Sequence, residues 1–201
     1  MAKAMSGQIP VKPDAEGLAA SALAAQKGKG PAPVHLWNPP FNGDIDMRIA
    51  RDGTWFYQNS PINREALVRL FASILRKDED RYVLVTPVEM VGITVEDAPF
   101  VAINFEIKNA GLNQELEFET NVGDFATAGP ENPIRVALDP QTGEPSPYVM
   151  IRAGLEARID RKSFYRLIEL GETQPLDGTD WFGIHSGGVF FPIISSQSLE
   201  I

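Results

Sequence analysis

The chain has 201 residues, of which 43% are hydrophobic, and this length and composition suit one large or two small packed domains and exclude a disordered chain. It contains no cysteine, which excludes disulfides, thiolate nucleophiles and cysteine-ligated zinc or iron–sulfur sites. Its formal net charge of −9 argues against nucleic-acid polymers as partners, because binding their phosphates needs clustered lysine and arginine.

No membrane association is expected either. The apolar stretches of the sequence are all shorter than the roughly 20 residues that a membrane-spanning helix needs. The N-terminal residues lack the continuous apolar segment of a secretory signal. We therefore predict a cytoplasmic protein.

The N-terminal part predicts one short helix and a linker. Residues 14–26 are rich in alanine and precede a stretch with glycine and proline that is typical of a linker. The helix has only a weak apolar stripe, formed by Leu18, Ala22 and Leu23, so it must dock on another element to be stable. We expect residues 1–33 to be an appendage to the folded core.

A β-hairpin and a helix are predicted next. Residues 46–57 alternate between apolar and polar side chains around an Asp-Gly dipeptide that is typical of tight turns. Ser60 and Pro61 are typical of a helix N-cap and of the first helical position. The apolar spacing that follows them predicts a helix over residues 62–76.

The remainder predicts strands with one more helix. Residues 101–108 and 115–120 alternate as a hairpin with one acidic, solvated face, and residues 124–133 predict a loop. Asp160 is expected to cap a helix that stops at Gly171. Further strands are predicted in these stretches: 82–85, 92–95, 134–138, 148–152, 155–159, 181–184 and 189–194.

The order strand, glycine turn, strand, helix occurs twice, at residues 46–76 and 148–170. The two copies share two arginines and a leucine in the helix, although matching their turn glycines requires a gap. We therefore predict an α+β protein of two mostly antiparallel lobes built on this repeated module. The first lobe is expected at residues 34–88, and a second, mainly β lobe with one helix at residues 89–201.

The charge is unevenly distributed along the sequence. Residues 89–147 hold eleven acidic side chains against two basic ones, so this section alone carries a charge of −9 and the remainder is near neutral. Basic residues concentrate instead in segments 48–81 and 148–170. An anionic ligand should therefore approach these two basic segments, whereas the acidic middle is most simply a solvated sheet face.

The stretch from His35 to Tyr57 concentrates the candidate functional residues. It holds two of the three tryptophans, a Pro-Pro pair, and carboxylates at Asp44 and Asp46. Residues two apart in an extended segment share a face, so these carboxylates could share a cation or a proton. The simpler alternatives are that Asp44 accepts backbone N–H groups and that Asp46 pairs with Arg48.

Recognisable catalytic motifs are absent from the sequence. It has no phosphate loop, dinucleotide fingerprint, nucleophile elbow or zincin helix. His35 and His185 do not have the spacing of metal ligands, so we expect no metal site and no cofactor. The Ser-Gly-Gly segment at residues 186–188 precedes a predicted strand rather than a helix, so it predicts a hairpin rather than a phosphate site.

Aromatic and basic side chains favour a small-molecule site. Trp37, Trp55 and Tyr57 offer ring faces on which a ligand could stack, and nearby arginines could hold an anion. Trp55 alternates in a strand and could equally be a core residue. Trp37 precedes two prolines, whose missing N–H groups keep that segment out of the centre of a sheet.

Six segments resemble, in order, the signature segments of a bacterial family known as domain of unknown function 1285: HLWNPPFNGDIDMRIARDGTWFYQNSPI, REALVRLF, YVLVTPVE, VGITVEDAPF, TNVGD and YVMIRAGLEARIDRKSFY. The resemblance runs from about His35 to Glu169. Recurring signature positions that are present include Trp37, Asn38, Pro39, Asp44, Asp46, Arg48, Gly53, Trp55, Tyr57, Pro61, Thr86, Pro87, Asn121, Gly123 and Asp124.

This resemblance implies a duplicated α+β core and a C-terminal lobe loosely like a pleckstrin-homology barrel. It also implies a role in signal transduction, with a nucleotide-like ligand between the two halves. The resemblance does not imply any catalytic residue.

Our first hypothesis is a ligand-sensing module that binds a nucleotide-like or other anionic small molecule between its lobes, without catalysis. The aromatic residues would stack, Arg48 and Arg64 would hold the anionic group, and Asp46 would orient Arg48 or a ribose hydroxyl. The expected ligand-binding residues are Trp37, Asn38, Asp44, Asp46, Arg48, Trp55, Tyr57, Arg64, Thr86, Asn121 and Asp124.

Two further hypotheses belong to other functional classes. The protein could be an interaction scaffold, including a homodimer formed by pairing of edge strands. It could also be a metal-dependent hydrolase that uses Asp44 and Asp46, in which case divalent cations should raise its melting temperature.

Overall fold

The computed structural model describes residues 14–25, 32–111 and 113–195, and within them the chain forms three helices and three β-sheets. No helix in this part of the chain is long and apolar enough to cross a membrane. Most of the linker predicted after the first helix lies outside the described residues. The helices are α1 Ala15–Ala25, α2 Glu65–Ser73 and α3 Arg161–Ile168, with a short 3₁₀ helix at Val34–Leu36.

The first lobe is a six-stranded sheet that packs against α2. Its strands are β1 Phe41–Ile49, β2 Trp55–Tyr57, β3 Ser60–Pro61, β4 Leu75–Asp78, β5 Arg81–Val85 and β6 Met90–Val95. Their order is β3-β2-β1-β6-β5-β4, with β1 and β6 parallel and every other pair antiparallel. The predicted hairpin is confirmed, since Met47 on β1 lies opposite Tyr57 on β2. Because β6 pairs with β1, the first sheet extends to Val95, beyond the boundary expected after Val88.

The second lobe is another six-stranded sheet, followed by α3. Its strands are β7 Phe100–Lys108, β8 Glu115–Thr120, β9 Phe125–Thr127, β10 Ile134–Leu138, β11 Pro145–Arg152 and β12 Leu155–Ile159. Their order is β10-β11-β12-β7-β8-β9, and β12 and β7 are the one parallel pair in the sheet. The segment predicted as a loop at residues 124–133 therefore contains a short strand, β9, which pairs with β8.

The two sheets share one strand order. If the strands of each lobe are numbered one to six along the chain, both sheets read 3-2-1-6-5-4, with the first and sixth strands parallel at the centre. The α+β class and the two mostly antiparallel lobes are thus confirmed, and a hairpin followed by a helix occurs in each lobe. The sheets also reveal a larger repeat of six strands. In that repeat the helices are not equivalent, because α2 follows the third strand of its lobe and α3 follows the sixth.

The helix predicted over residues 62–76 is shorter than expected. Ser60 and Pro61 do not cap it, because they form β3 and pair with β2. The N-cap is Arg64, without a side-chain hydrogen bond to the helix, and the helix ends at Ser73. The apolar spacing in the sequence continues beyond the end of the helix because Leu75 is also buried, but Leu75 belongs to the strand β4.

Alternation along β7 is interrupted by a bulge. The pairing of β7 with β8 shifts between Ala102 and Asn104, so Ile103 has no partner and its side chain is exposed. Ile107 is also exposed, near the end of the hairpin. Strict alternation over residues 101–108 predicts that Ile103, Phe105 and Ile107 share the core face, but of these three only Phe105 is buried.

A small third sheet closes the C-terminal end of the described chain. It consists of β13 Glu172–Leu176, β14 Thr179–Ser186 and β15 Val189–Ser195 in sequential antiparallel order. The predicted hairpin turn after Ser186 is confirmed, whereas β13 was not predicted. The predicted cap of α3 is also confirmed, since the Asp160 carboxylate accepts a hydrogen bond of 2.7 Å from the Ser163 N–H.

The N-terminal helix docks on the first lobe. Leu18 and Ala22 of α1 are fully buried in the main core cluster, where α1 contacts α2. Leu23, the third member of the predicted apolar stripe, is exposed. Burial of the Leu18 and Ala22 side chains stabilises α1, which would be only marginally stable as an isolated helix.

Candidate anion-binding site

The lobes are joined first through Asn121. Its side-chain oxygen accepts a hydrogen bond of 3.0 Å from the Val101 N–H, and its amide nitrogen donates one of 3.4 Å to the Gly53 carbonyl. Gly53 has φ of +84°, and a Cβ there would lie 2.6 Å from the Asn121 amide nitrogen. The side chain of Asn121 is therefore engaged in holding the two lobes together.

Arg152 makes a second connection. Its guanidinium pairs with the Asp124 carboxylate and donates a hydrogen bond of 2.7 Å to the carbonyl of Ala72, near the C-terminal end of α2. It also lies over the Phe100 ring, 4.9 Å from the centroid. Asp124 is thus occupied by an arginine of its own lobe that reaches across to the other lobe.

A third connection surrounds Asp97, in the segment between β6 and β7. The Tyr148 hydroxyl donates a hydrogen bond of 2.7 Å to Oδ1 of Asp97. Oδ2 of Asp97 lies 3.3 Å from Nε of Arg51 and 4.0 Å from Nε of Arg158. Burial, and then the hydrogen bond to Asp97, raise the pKa of the Tyr148 phenol.

An ion pair between Arg135 and Glu156 extends this junction. It has two hydrogen bonds, of 2.7 and 2.6 Å, which raise the pKa of Arg135, and the guanidinium stacks 4.2 Å from the Tyr148 ring centroid. Burial and the nearby charge of Glu156 raise the pKa of Tyr82, on the sheet of the first lobe. The groove expected between the lobes is therefore largely filled by the side chains of the protein itself.

A cavity of about 360 Å³ remains open beside the junction. Arg51 of the first lobe lines one side, and the other walls belong to the second lobe: Glu144, Pro145, Ser146, Pro147, Arg158, Ile159, Arg161, Phe164 and Tyr165. Three guanidiniums against one carboxylate make this lining basic. A second cavity, of about 570 Å³, is lined by Asp78, Glu79, Asp80 and Arg81, and its acidic lining does not suit an anion.

Local structure explains how the three arginines meet. Arg51 lies in the turn of the first hairpin, where Asp52 accepts a hydrogen bond of 2.9 Å from the Thr54 N–H. That bond lowers the pKa of Asp52 and stabilises the turn. Arg158 is the second-last residue of β12 and Arg161 begins α3, and between them lie Ile159 and the helix cap Asp160.

The three arginines differ in how many of their guanidinium N–H groups form hydrogen bonds within the protein. Arg161 donates a hydrogen bond of 3.1 Å to the Tyr165 hydroxyl, which raises the pKa of Arg161. Nε of Arg158 is buried and has no hydrogen-bond partner among the described residues. The Arg51 side chain is 61% exposed. Unused N–H donors on charged groups are what a phosphate or carboxylate ligand binds.

Comparison with known proteins identifies the family. A model described as the N-terminal domain of a domain of unknown function, DUF1285, matches residues 32–98, and one described as the C-terminal domain of a protein of unknown function, DUF1285, matches residues 99–193. The chain belongs to the DUF1285 family. The resemblance found in the sequence is therefore confirmed, and the two matched regions meet between β6 and β7.

Solved structures of DUF1285 proteins are similar to this chain. The crystal structure of a DUF1285 family protein from Silicibacter pomeroyi DSS-3 is 67% identical, with a TM-score of 0.83, covering 92% of this chain and 98% of that one. Another, from Shewanella baltica OS155, is 28% identical, with a TM-score of 0.49, covering 62% of this chain and 91% of that one. No curated protein matches the chain.

Two DUF1285 signature residues that we expected to bind the ligand lie in the core. Trp55 is only 1% exposed and stacks on Phe71, with ring centroids 6.2 Å apart, so the prediction that Trp55 stacks on a ligand is wrong. Thr86 is fully buried, and its hydroxyl accepts a hydrogen bond of 3.1 Å from the Glu89 N–H in a tight turn. Folding accounts for both residues.

The basic residue expected to hold the anion, Arg48, has a partner of its own. Its Nη1 lies 2.7 Å from Oε1 of Glu96, and its guanidinium stacks 4.0 Å from the Phe56 ring centroid. The predicted pairing of Arg48 with Asp46 is therefore wrong. The side chain of Asp46 is exposed and makes no hydrogen bond to the described residues. Arg64 is exposed at the start of α2, and neither arginine lines the cavity.

The aromatic segment before β1 covers part of the first sheet. The carbonyl of Trp37 accepts a hydrogen bond of 2.7 Å from Arg76, and the half-buried Trp37 ring packs against the core. Asn38 is exposed, and Tyr57 is half-buried, with its hydroxyl 3.4 Å from the Gln58 amide nitrogen. None of the predicted ligand-binding residues lines the cavity of the three arginines.

The predicted carboxylate pair lies on the exposed side of β1. Asp44 and Asp46 are both exposed, and in the described ranges no group of three or more His, Asp or Glu residues could hold a metal ion. The hydrolase and scaffold hypotheses remain predictions.

Asp44 lies across the backbone of Gly92, its partner on β6. A Cβ at Gly92 would collide with Oδ1 of Asp44, an exposed side chain that must rotate away, so we expect Gly92→Ala to lower the free energy of unfolding by about 1 kcal/mol. In an Asp44→Ala background the same change should cost about 0.5 kcal/mol or less, because the collision is gone. Urea unfolding of the four proteins tests this coupling. An equal cost in both backgrounds would show that Asp44 is not the obstacle.

Proposed function

We propose that this DUF1285 protein is a ligand-sensing module that binds a small anionic, nucleotide-like molecule in the cavity beside the lobe junction. The observation that carries the proposal is the convergence of Arg51, Arg158 and Arg161 from both lobes on one cavity. Its volume of about 360 Å³ falls in the range typical of small-molecule sites.

Charge and ring chemistry support an anion with an aromatic part. Guanidiniums bind phosphate oxygens through paired N–H donors, and the three that line this cavity outnumber the two carboxylates near them, Glu144 in the lining and Asp97 next to Arg51 and Arg158. Phe164 and the exposed ring of Tyr165 line the same cavity and offer apolar faces for a base. The arginines also belong to the two basic segments in an otherwise acidic chain. An anion is therefore expected to be attracted to the cavity lined by the three arginines.

A thermal-shift panel of adenine and guanine nucleotides and inorganic pyrophosphate tests the proposal. A ligand present at 100 times its Kd should stabilise the folded state by about 2.7 kcal/mol. For a chain of this size, that corresponds to a rise in Tm of roughly 5–10 °C. If no member of the panel raises the Tm, the proposal is wrong.

Variants then locate the bound ligand. We expect Arg51→Ala and Arg161→Ala each to weaken binding by about 10-fold or more, since each removes charged hydrogen-bond donors from the cavity. Arg69→Ala is the matched control, because its side chain is 61% exposed, as is that of Arg51, but lies outside the cavity. Loss of binding in Arg48→Ala, with Arg51→Ala and Arg161→Ala unaffected, would place the ligand on the face of β1 instead.

A further inference from the structure

Asp97 occupies the position at which the chain passes from the first lobe to the second. Its Oδ2 is within ion-pair distance of two of the three cavity arginines, at 3.3 Å from Arg51 and 4.0 Å from Arg158. Neither approach has the geometry of a hydrogen bond. Oδ2 of Asp97 and Nε of Arg158 are both buried without a hydrogen-bond partner in the described part of the chain.

The carboxylate is nevertheless held in place. Its other oxygen accepts the hydrogen bond from Tyr148, and the side chain is only 17% exposed. The neighbouring Glu96 accepts hydrogen bonds from Arg48 and from the backbone N–H of Arg51. Asp97 is therefore a fixed negative charge that attracts two guanidiniums and leaves their donors incompletely used.

We propose that Asp97 is an internal anion that competes with the ligand for Arg51 and Arg158, and so sets the affinity of the cavity. This inference rests on the proposed function. A ligand that binds both guanidiniums must outweigh the resident carboxylate. The site therefore selects ligands that carry at least two adjacent anionic groups, such as a diphosphate.

Coupling between the lobes follows from the same geometry. Arg51 belongs to the first lobe and Arg158 to the second, and without ligand they share one carboxylate of the connecting segment. When an anion binds both, a contact through Asp97 is replaced by a contact through the ligand. Because Asp97 repels an incoming anion and attracts the arginines that would bind it, removing the charge of Asp97 is expected to raise the affinity for the anion.

Asp97→Asn tests the inference because it keeps the shape of the side chain and an acceptor for Tyr148, but removes the charge. In calorimetric titrations with inorganic pyrophosphate at fixed ionic strength, we expect it to bind at least about 5-fold more tightly than the wild type. Glu131→Gln is the matched control, because it removes the same charge from an exposed carboxylate that lies outside the cavity lining. It should change the affinity by about 2-fold or less.

The outcomes separate the two proposals. If Asp97→Asn binds pyrophosphate as the wild type does, more weakly, or no more tightly than Glu131→Gln, this inference is wrong while the proposed function stands. If wild type and variant both fail to bind pyrophosphate and every nucleotide of the panel, both are wrong.

A measurement on the wild-type protein does not depend on how the variant folds. Nitrogen-15 spectra of the arginine Nε–H groups should show pyrophosphate shifting the resonances of Arg51 and Arg158 and leaving that of Arg69 unchanged. Unshifted resonances of Arg51 and Arg158 in the presence of bound pyrophosphate would overturn the inference.

Discussion

Replacing Ser186 by alanine is expected to lower the free energy of unfolding by about 2–4 kcal/mol. The Ser186 hydroxyl is fully buried, where it accepts a hydrogen bond of 2.9 Å from the Leu116 N–H and donates one of 2.8 Å to the Ala128 carbonyl. Alanine would leave both backbone groups without a partner in a site closed to water, which costs the desolvation of each. Urea unfolding measures the loss.

This substitution tests how the third sheet is held on the second lobe. Ser60→Ala is the control, because Ser60 lies in an exposed strand and makes no side-chain hydrogen bond to the described residues. We expect it to change stability by no more than about 0.5 kcal/mol. Equal effects of the two substitutions would mean that the backbone groups beside Ser186 find other partners, and that the sheet docks by its apolar contacts alone.

Replacing Arg152 by methionine is expected to cost about 2–3 kcal/mol of stability. Methionine keeps an apolar stem over Phe100 but loses the ion pair with Asp124 and the hydrogen bond to the Ala72 carbonyl. The hydrogen bond to Ala72 crosses from the second lobe to the first, so its loss removes one connection of the junction, and the ion pair within the second lobe is lost with it. Urea unfolding followed by tryptophan fluorescence and by far-ultraviolet circular dichroism measures the loss.

Arg135→Met is the matched control for that prediction. Arg135 also forms an ion pair within its own lobe and stacks on an aromatic ring, but its side chain is 51% exposed against 22% for Arg152, and none of its hydrogen bonds in the described chain reaches the first lobe. We expect it to cost about 1 kcal/mol or less, as exposed pairs do. If Arg152→Met costs no more than Arg135→Met, the contact across the junction adds nothing to stability.

Local patterns were sufficient to predict much of the fold. Alternation in the first hairpin, the Asp160 cap of α3 and the Gly187-Gly188 turn each depend on residues close in sequence, and the structure confirms them. The errors came where distant contacts decide. Ser60 has the sequence of a cap, but pairing with β2 makes it a strand residue. The bulge at Ile103 depends on how β8 meets β7, which alternation alone does not contain.

The candidate site was harder to predict than the fold. Charge distribution pointed to both basic segments, and the cavity draws its arginines from them. The particular residues could not be chosen, because Arg48 and Arg51 look alike in sequence. Arg48 forms an ion pair with Glu96, which is distant in sequence. From the sequence alone, Glu96 was only one of the acidic residues of the middle section. The sequence allowed Trp55 to be either a ligand-stacking residue or a core residue, and its packing against Phe71 shows that it is a core residue.

The shared strand order has a consequence for how the chain folds. In each lobe the outer strands pair with neighbours close in sequence, whereas the central parallel pair joins the first and last strands of that lobe. The two three-stranded units of each lobe, strands one to three and strands four to six, can therefore form at low entropic cost. The main loss of chain entropy comes when the first and sixth strands pair and join these units. Asp44 and Gly92, which pair across that closure in the first lobe, are therefore expected to influence the rate of folding.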